Sequence, residues 1–200
     1  MKTIDINCHI SELVEKAKNG NDDSLEHLVN LFQKDIFHMV YYRTSSHVDA
    51  EDLTQDIFIK MIKSLPKLKE INRFRPWLFR IALNCVRDFH RKKYFLDFFS
   101  STNEEDKEKE GIEKDIFDNS SNPERLLMQK EFWSQFNRFK DNLSKWEKEV
   151  FMLRFIDNLG IREIAEILNK SESSVKTHLY RAIKKFKQDP EFQGLLKGSI

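Results

Sequence analysis

Residues 160–187, GIREIAEILNKSESSVKTHLYRAIKKFK, decide the fold of the C-terminal part of this 200-residue chain. Apolar residues recur at helical spacing on both sides of a polar break at residues 169–171. Ser171 suits the N-cap of the second segment, and Glu172 suits the positive end of a helix that begins there. The pattern predicts a helix-turn-helix, in which two short amphipathic helices are joined by a three- or four-residue turn.

The second of these helices carries a polar and basic outer face. Its apolar side holds Val175, Leu179, Ala182, Ile183 and Phe186. At about 100° per residue, the opposite side holds Ser173, Thr177, Tyr180, Arg181 and Lys184. Hydrogen-bonding and cationic side chains of this kind suit base edges and phosphates. Taken alone, the stretch is equally compatible with a DNA-reading helix and with a helical hairpin whose basic face is solvated.

The composition indicates a helical protein of one large or two small domains. The chain has only five Gly and four Pro, and few strand-like alternations interrupt its helical periodicity. Ser46 is predicted to cap one helix, and Pro76 suits the first turn of another. Before the helix-turn-helix, periodic segments predict helices at residues 10–17, 24–42, 46–65, 76–93, 124–142 and 144–156. We therefore expect an all-α fold.

The net charge of +1 hides an uneven distribution. Residues 1–94 hold 16 basic and 13 acidic side chains, residues 95–125 hold 4 and 10, and residues 126–200 hold 14 and 10. Residues 100–122 are also poor in apolar side chains, so they bury too little surface to offset the entropy of ordering. The sequence predicts two small helical domains, at 1–97 and 124–190, with a flexible acidic linker at 98–123 and a tail at 191–200.

A second basic element precedes the linker. Residues 73–93 contain seven basic side chains and one acidic side chain. Arg80, Asn84, Arg87 and Arg91 are spaced 4, 3 and 4 apart, which places them on one helix face. A cationic row beside aromatic residues suits a melted or distorted strand, because the cations follow phosphates while rings or pockets hold unstacked bases. The alternative is a solvated helix face.

The preceding helix has the opposite sign. Asp49, Asp52 and Asp56 share a face, with Glu51 and Gln55 beside them. An acidic face repels DNA and suits a basic protein surface. The alternative is that carboxylates simply favour the first turn of a helix, which explains Asp49 and Glu51 better than it explains Asp56.

Several classes of protein lack support in the sequence. Cys8 and Cys85 stand far apart with no spacing typical of a metal site, so no metal and no cofactor are expected. No apolar run approaches the roughly 20 residues that span a bilayer, and the first residues lack a signal-peptide pattern, so we expect a cytoplasmic protein. No Gly-rich phosphate loop, nucleophile elbow or metal triad indicates an enzyme.

Together these segments resemble a bacterial sigma factor of the sigma-70 family, in its two-domain extracytoplasmic-function group. Residues 49–58, DAEDLTQDIF, resemble region 2.2, and residues 74–84, FRPWLFRIALN, with the basic residues up to Lys93, resemble regions 2.3 and 2.4. The resemblance implies that the clamp helices of the polymerase β′ subunit bind Asp49, Asp52, Gln55 and Asp56. It implies that the −10 element is recognised and opened by Arg73, Phe74, Arg80, Asn84, Arg87 and Arg91. Asn84 and the preceding loop would help to hold a flipped-out base.

The C-terminal part resembles region 4 of the same family. The resemblance rests on residues 143–153, 163–165 and 175–182. It implies that the −35 element is read by Ser174, Lys176, Thr177, His178, Tyr180, Arg181 and Lys184. It also implies that this domain packs on the flap of the polymerase β subunit, that the linker threads toward the RNA exit path, and that an anti-sigma factor restrains the protein.

The resemblance predicts a non-catalytic subunit that binds core RNA polymerase, recognises the −35 and −10 promoter elements and assists DNA melting. The alternative is a helix-turn-helix regulator that binds DNA without joining polymerase. Such a regulator needs only the C-terminal domain, and it leaves the acidic face and the basic helix of the N-terminal domain unexplained.

Overall fold

The computed structural model describes residues 2–100, 136 and 138–189, and within these ranges it shows side chains at residues 8–96, 136 and 138–189. Every regular element in the described ranges is helical. The chain divides into two compact units, Met1–Glu110 and Gly111–Ile200. The prediction of an all-α fold in two helical parts is therefore confirmed.

Four α-helices build the part of the first unit that the structure describes. They are α1 (Lys2–Lys18), α2 (Asp22–Thr44), α3 (His47–Ser64) and α4 (Phe74–Ser100). Two single 3₁₀ turns, Leu65–Lys67 and Ile71–Arg73, connect α3 to α4. The central helix is α2, which packs against α1, α3 and α4.

The ends of α2 and the start of α3 follow from local chemistry. Asn21 caps α2 by accepting a hydrogen bond from the Ser24 backbone N–H at 2.8 Å. Helix α2 stops at Ser45, whose φ of +58° is left-handed. Ser46 then caps α3, and its hydroxyl accepts a hydrogen bond from the Asp49 N–H at 3.3 Å. The predicted cap at Ser46 is thus confirmed.

The core of the first unit forms along one apolar side of α2. Leu28, Phe32, Ile36, Met39 and Val40 are all buried, with no more than 3% of any of them exposed. From the other helices the core takes Val14, Ala50, Ile57, Met61, Phe74, Leu78, Phe79, Ala82 and Leu83. The Val, Leu, Ile, Phe and Met side chains of this core each contribute about 1.5–3 kcal/mol when fully buried, so this core holds the four helices together.

Two helices extend further than predicted. Helix α1 begins at Lys2 instead of residue 10, and α4 continues past Lys93 to Ser100. Neither extension contains a Gly or Pro that would stop a helix, and Gly20 follows the end of α1. Residues 98–100, which were predicted to begin the linker, therefore belong to α4. The rest of the predicted linker, most of the predicted helix 124–142, and the tail lie outside the described residues.

The second unit is a small helical cluster around aromatic rings. A helical stretch at 138–141 precedes α5 (Lys145–Phe155), α6 (Ile161–Leu168) and α7 (Glu172–Gln188), and α5, α6 and α7 pack against one another. Phe139 lies at its centre, with ring centroids 5.5 Å from Phe151 and 5.3 Å from Phe186, both edge-on. This packing places one side of α7 against the core and leaves the other side for solvent or a ligand.

In residues 2–100 and 138–189, no helix combines the length and the apolar character that a membrane crossing needs.

Candidate nucleic-acid and protein interfaces

The helix-turn-helix is built by three local caps. The Gly160 N–H donates to Glu163 Oε2 at 2.7 Å, which starts α6. Asn169, with φ +51°, ends α6, and the Lys170 N–H returns to the Ala165 carbonyl at 2.9 Å. Ser171 then caps α7 by accepting from the Ser174 N–H at 3.2 Å, as predicted. Together these bonds fix the angle at which α7 leaves the turn.

The turn is also attached to α5. The Lys170 ammonium lies 3.8 Å from the centroid of the Trp146 ring, over its face. A cation–π contact of this kind contributes about 0.5–1 kcal/mol at a partly exposed site. Trp146 and Lys170 are each half-buried, so the turn packs on the domain and does not project freely into solvent.

Helix α7 presents most of its predicted DNA face to solvent. The exposed predicted residues are Lys176, Thr177, Tyr180, Arg181 and Lys184. Tyr180 is 70% exposed, so its ring and hydroxyl are accessible on this face. Val175 and Ala182 are fully buried on the opposite side. The predicted division of α7 into a core face and an outer face is therefore what the structure shows.

Ser174 and His178 occupy the margin of that face. Both are half-buried, and the Ser174 N–H is engaged in the cap of α7. His178 Nδ1 is buried and has no hydrogen-bond partner within the described part of the chain. These two residues therefore lie at the edge of the predicted DNA face, while Thr177, Tyr180 and Lys184 lie nearer its middle.

Helix α4 presents a second polar row. Arg80, Asn84, Arg87 and Arg91 are all exposed along one side of it. Arg91 also bonds Asp88 Oδ1 at 3.1 Å, one turn earlier on the same helix. The predicted −10 residues of α4 thus share one solvent-facing surface, which we call the α4 basic row (Arg80, Asn84, Arg87 and Arg91).

The two predicted −10 residues before this row behave differently. Arg73 is exposed in the 3₁₀ turn and bonds Glu70 Oε2 at 2.9 Å. Phe74 is the first residue of α4, is only 1% exposed, and packs edge-on against Phe32 at 5.5 Å. Phe74 is therefore a core residue, and the prediction that it contacts DNA is corrected.

The predicted polymerase face lies at the start of α3. Asp52, Gln55 and Asp56 are exposed, whereas Asp49 is half-buried and its carboxylate lies 3.8 Å from Lys93 Nζ. We call these four residues the α3 acidic face. Sequence reasoning missed the Asp49–Lys93 ion pair, because it joins two helices that no local pattern relates.

The same helix also contacts α4 through Lys60, one turn beyond Asp56. Lys60 Nζ donates to the Cys85 sulfur at 3.2 Å, and this bond is the main cause that raises the pKa of Lys60 above its ordinary value. Ile59 and Ile62, 47% and 41% exposed, lie near it on the outer side of α3. Sequence reasoning missed these exposed apolar residues as well, since a helical apolar pattern does not tell which members stay outside.

The described residues offer no obvious metal site. No three His, Cys, Asp or Glu side chains in residues 8–96 and 138–189 are close enough together to hold a metal ion. Cys8 is exposed and Cys85 is buried, each as a free thiol.

Two family models match this chain over both units. Sigma-70 region 2 matches residues 28–95, which include the α3 acidic face and the α4 basic row. Sigma-70 region 4 matches residues 136–186, which include the helix-turn-helix. The chain belongs to the sigma-70 family. It is a sigma factor of the extracytoplasmic-function type, the class of protein that directs promoter-specific initiation of transcription.

Individual relatives agree with this assignment. This sigma factor is 28% identical over 177 residues to the ECF RNA polymerase sigma factor SigW of Bacillus subtilis, covering 86% of this chain and 91% of SigW. It is also 28% identical over 176 residues to the ECF RNA polymerase sigma factor BldN of Streptomyces coelicolor, and the match covers 86% of this chain but spans 62% of the length of BldN.

Solved structures show the same fold. CnrH, determined in complex with the cytosolic domain of CnrY, matches with a TM-score of 0.64 and 22% identity, covering 96% of this chain and 99% of the CnrH chain. RpoE from Bartonella quintana, determined with the anti-sigma factor NepR, matches with a TM-score of 0.62 and 20% identity, covering 86% and 96% of the two chains.

Proposed function

We propose that this sigma factor binds core RNA polymerase and reads two promoter elements with its two units. The outer face of α7 reads the −35 element, the α4 basic row with Arg73 recognises and opens the −10 element, and the α3 acidic face docks on the clamp helices of the β′ subunit. Catalysis belongs to the polymerase, and the protein acts in the cytoplasm with it.

One observation supports this proposal above the others. A single unit exposes an acidic face on α3 and a basic row on α4, so it offers surfaces of opposite charge to two different partners. Binding to DNA accounts for the α4 basic row but not for the α3 acidic face. Binding to a basic polymerase surface accounts for the α3 acidic face. A regulator that binds DNA without polymerase has no use for the acidic face.

Two further partners follow from the family. We propose that the second unit packs on the flap of the polymerase β subunit, and that an anti-sigma factor restrains this protein before induction. The latter proposal draws on CnrH and RpoE, which were solved with the cytosolic domain of CnrY and the anti-sigma factor NepR, respectively. The domain limits 1–97 and 124–190 remain part of the proposal, with the first helical unit extended to residue 100.

Reconstitution tests the proposed function directly. Purified protein is added to core RNA polymerase, and run-off transcripts are sequenced from a pool of genomic fragments. We expect transcripts that are absent without the protein, with start sites downstream of a shared pair of elements. A stable footprint on DNA without polymerase, together with no new transcript in its presence, would instead establish the independent regulator.

A further inference from the structure

A buried ion pair joins α5 to the recognition helix. Glu147 is only 5% exposed, and it is one of two buried polar or charged residues in the ranges that the structure describes. Its Oε2 accepts hydrogen bonds from Lys185 Nζ at 2.7 Å and from the Ser144 N–H at 2.9 Å. Charge-assisted bonds of this length are about twice as strong as neutral ones, so the pair firmly links the two helices.

Lys185 makes a second bond in the same place. Its Nζ donates to the Asn142 carbonyl at 3.2 Å, in the turn that leads into α5. One ammonium group therefore links α7 to both sides of that turn. Because Glu147 also closes the capping box of α5 with Ser144, the anchor point is itself held in place.

The anchor lies one turn from the proposed base-reading residues. Lys185 follows Arg181 by four positions and His178 by seven, so the three share one stripe of α7. The bonds of Lys185 therefore hold α7 on the stripe that carries Arg181, next to Lys184. Misplacement by about 1 Å is enough to spoil a directional hydrogen bond to a base edge.

We propose that Glu147 and Lys185 form a positioning pair, which orients α7 so that its outer face reads the −35 element. This inference rests on the proposed function. Glu147 is buried and out of reach of DNA, so its effect on promoter recognition passes through Lys185 and α7. Lys185 has a side chain 43% exposed, so its ammonium could otherwise serve as an ordinary phosphate contact. Variants of both Glu147 and Lys185 therefore distinguish a positioning role of Lys185 from a direct phosphate contact.

The test uses the full chain with core polymerase. Open-complex formation is measured on a promoter found by run-off transcription and on the same promoter with a scrambled −35 element. The variants are Glu147→Gln, Lys185→Gln, their double variant and Lys185→Arg, with Lys145→Gln as a matched exposed-lysine control. Gln at 147 keeps an oxygen for the Ser144 N–H, so the cap survives while the charge is removed. Circular dichroism melting confirms folding.

We expect Glu147→Gln and Lys185→Gln each to lower the preference for the intact −35 element roughly tenfold, since contacting residues couple by energies of this order. The double variant should lose no more than either single variant. Lys185→Arg should retain the preference for the intact −35 element, and Lys145→Gln should leave it unchanged. A purely structural loss would lower occupancy of both promoters and leave their ratio intact.

Several outcomes overturn the inference. If Glu147→Gln has no effect while Lys185→Gln weakens both promoters equally, Lys185 is a phosphate contact. If Glu147→Gln does not fold, the Lys185→Gln and Lys185→Arg variants still test the inference. Equal ratios of open complexes on the intact and scrambled promoters for these two variants and the parent protein would exclude a positioning role. If the parent protein itself shows no −35 preference, the proposed function fails first, and the positioning role fails with it.

Discussion

Arg181 is the residue of α7 whose chemistry best fits direct reading of a base. Its guanidinium is exposed on the outer face and carries a rigid fork of donors, which matches the acceptors of guanine in the major groove. We expect Arg181→Ala to cost about 1–3 kcal/mol of binding and to relax discrimination at one position of the −35 element. Competition between polymerase complexes on single-base variants of that element measures both effects.

The same experiment distinguishes a backbone contact. A loss spread evenly over all sequences, with the salt dependence reduced by about one charge, would mark Arg181 as a phosphate contact. Lys184→Ala is expected to behave in that manner. Lys145→Ala, on the exposed start of α5, is the control that should change neither quantity.

Asn84 offers a prediction about melting. It is exposed in the middle of the α4 basic row and has the amide groups to hold an unstacked base, whose extrusion costs a few kcal/mol. Asn84→Ala should impair strand opening more than formation of the closed complex. Permanganate reactivity of −10 thymines, set beside filter binding of closed complexes, tests this. Equal losses in both assays would assign Asn84 to docking only.

Single residues also show where sequence reasoning stops. The exposed row from Arg80 to Arg91 could be predicted because helical spacing alone puts its members on one side. Phe74 could not, since an aromatic residue beside arginines looks alike whether it faces DNA or the core. The contact that decides is with Phe32 on another helix, and no local pattern contains it.

At the scale of elements, the α3 acidic face should separate binding from folding. Asp52 and Asp56 are exposed, so Asp52→Lys with Asp56→Lys should leave the melting temperature nearly unchanged. We expect affinity for core polymerase to fall by roughly a hundredfold, because like charges placed against each other at a docking surface cost several kcal/mol. Fluorescence titration with core polymerase measures it.

A matched control guards against a nonspecific charge effect. Glu12→Lys with Glu15→Lys makes the same change in net charge on exposed positions of α1. It should leave polymerase affinity intact. Unchanged affinity in the α3 variant would remove this face from the interface, and equal losses in both variants would show that only overall charge matters.

The Glu147–Lys185 link makes the second unit sensitive to acid. The hydrogen bond from Lys185 is the main cause that holds the pKa of Glu147 below its ordinary value of 4.5, against the opposing effect of burial. A carboxyl whose pKa is lowered by folding stabilises the fold above pH 4.5, and that stabilisation disappears as the pH falls through the lowered pKa.

The stability difference between the parent protein and Glu147→Gln should therefore shrink with acidification. Urea unfolding at several pH values between about 6 and 3 measures this difference. Glu12→Gln, at an exposed position of the first unit, provides the comparison. A difference that stays constant over this range would show that the ionised form of Glu147 does not stabilise the fold.

Element boundaries depended on whether a local signal was present. Ser46 and Ser171 carry side-chain caps, and the helices they begin were predicted correctly. The start of α1 and the end of α4 were missed because no Gly, Pro or side-chain cap marks either boundary in the sequence. Residues 94–97 also lie directly before the acidic segment that was predicted to be a linker. The Glu147–Lys185 pair was missed because it joins residues far apart in sequence.

For the whole molecule, two weak DNA-binding surfaces on one chain predict that promoter binding depends strongly on core polymerase. In the proposed function each unit contacts one promoter element, and joining the two units raises the effective concentration of the second contact. We expect the free protein to bind promoter DNA at least about a hundredfold more weakly than its complex with core polymerase. Gel-shift titration with and without core polymerase decides. Equal affinity of the free protein and of the polymerase complex would contradict the proposal that each unit binds promoter DNA weakly by itself.

The overall plan was the most predictable level. The prediction of two helical parts, and of their charges, rests on many residues. A wrong assignment at a single position therefore does not change it. The pattern at residues 49–58 and 74–84, added to the helix-turn-helix, distinguished a polymerase subunit from a simple DNA reader. The spatial relation of the charges within each unit required the fold.

Asn169 gives the helix-turn-helix a simple rule of substitution. Its φ of +51° is readily adopted by Gly and Asn and is costly for β-branched residues, so one of the three caps that set the bend between α6 and α7 depends on the residue type at this position. In a library selected for promoter activity, we expect position 169 to accept Gly, Asn and Asp and to reject Val and Ile. Its neighbour Lys170 should vary more freely. The bend between α6 and α7 can thus be retained while the exposed residues of α7, and with them the recognised DNA sequence, change.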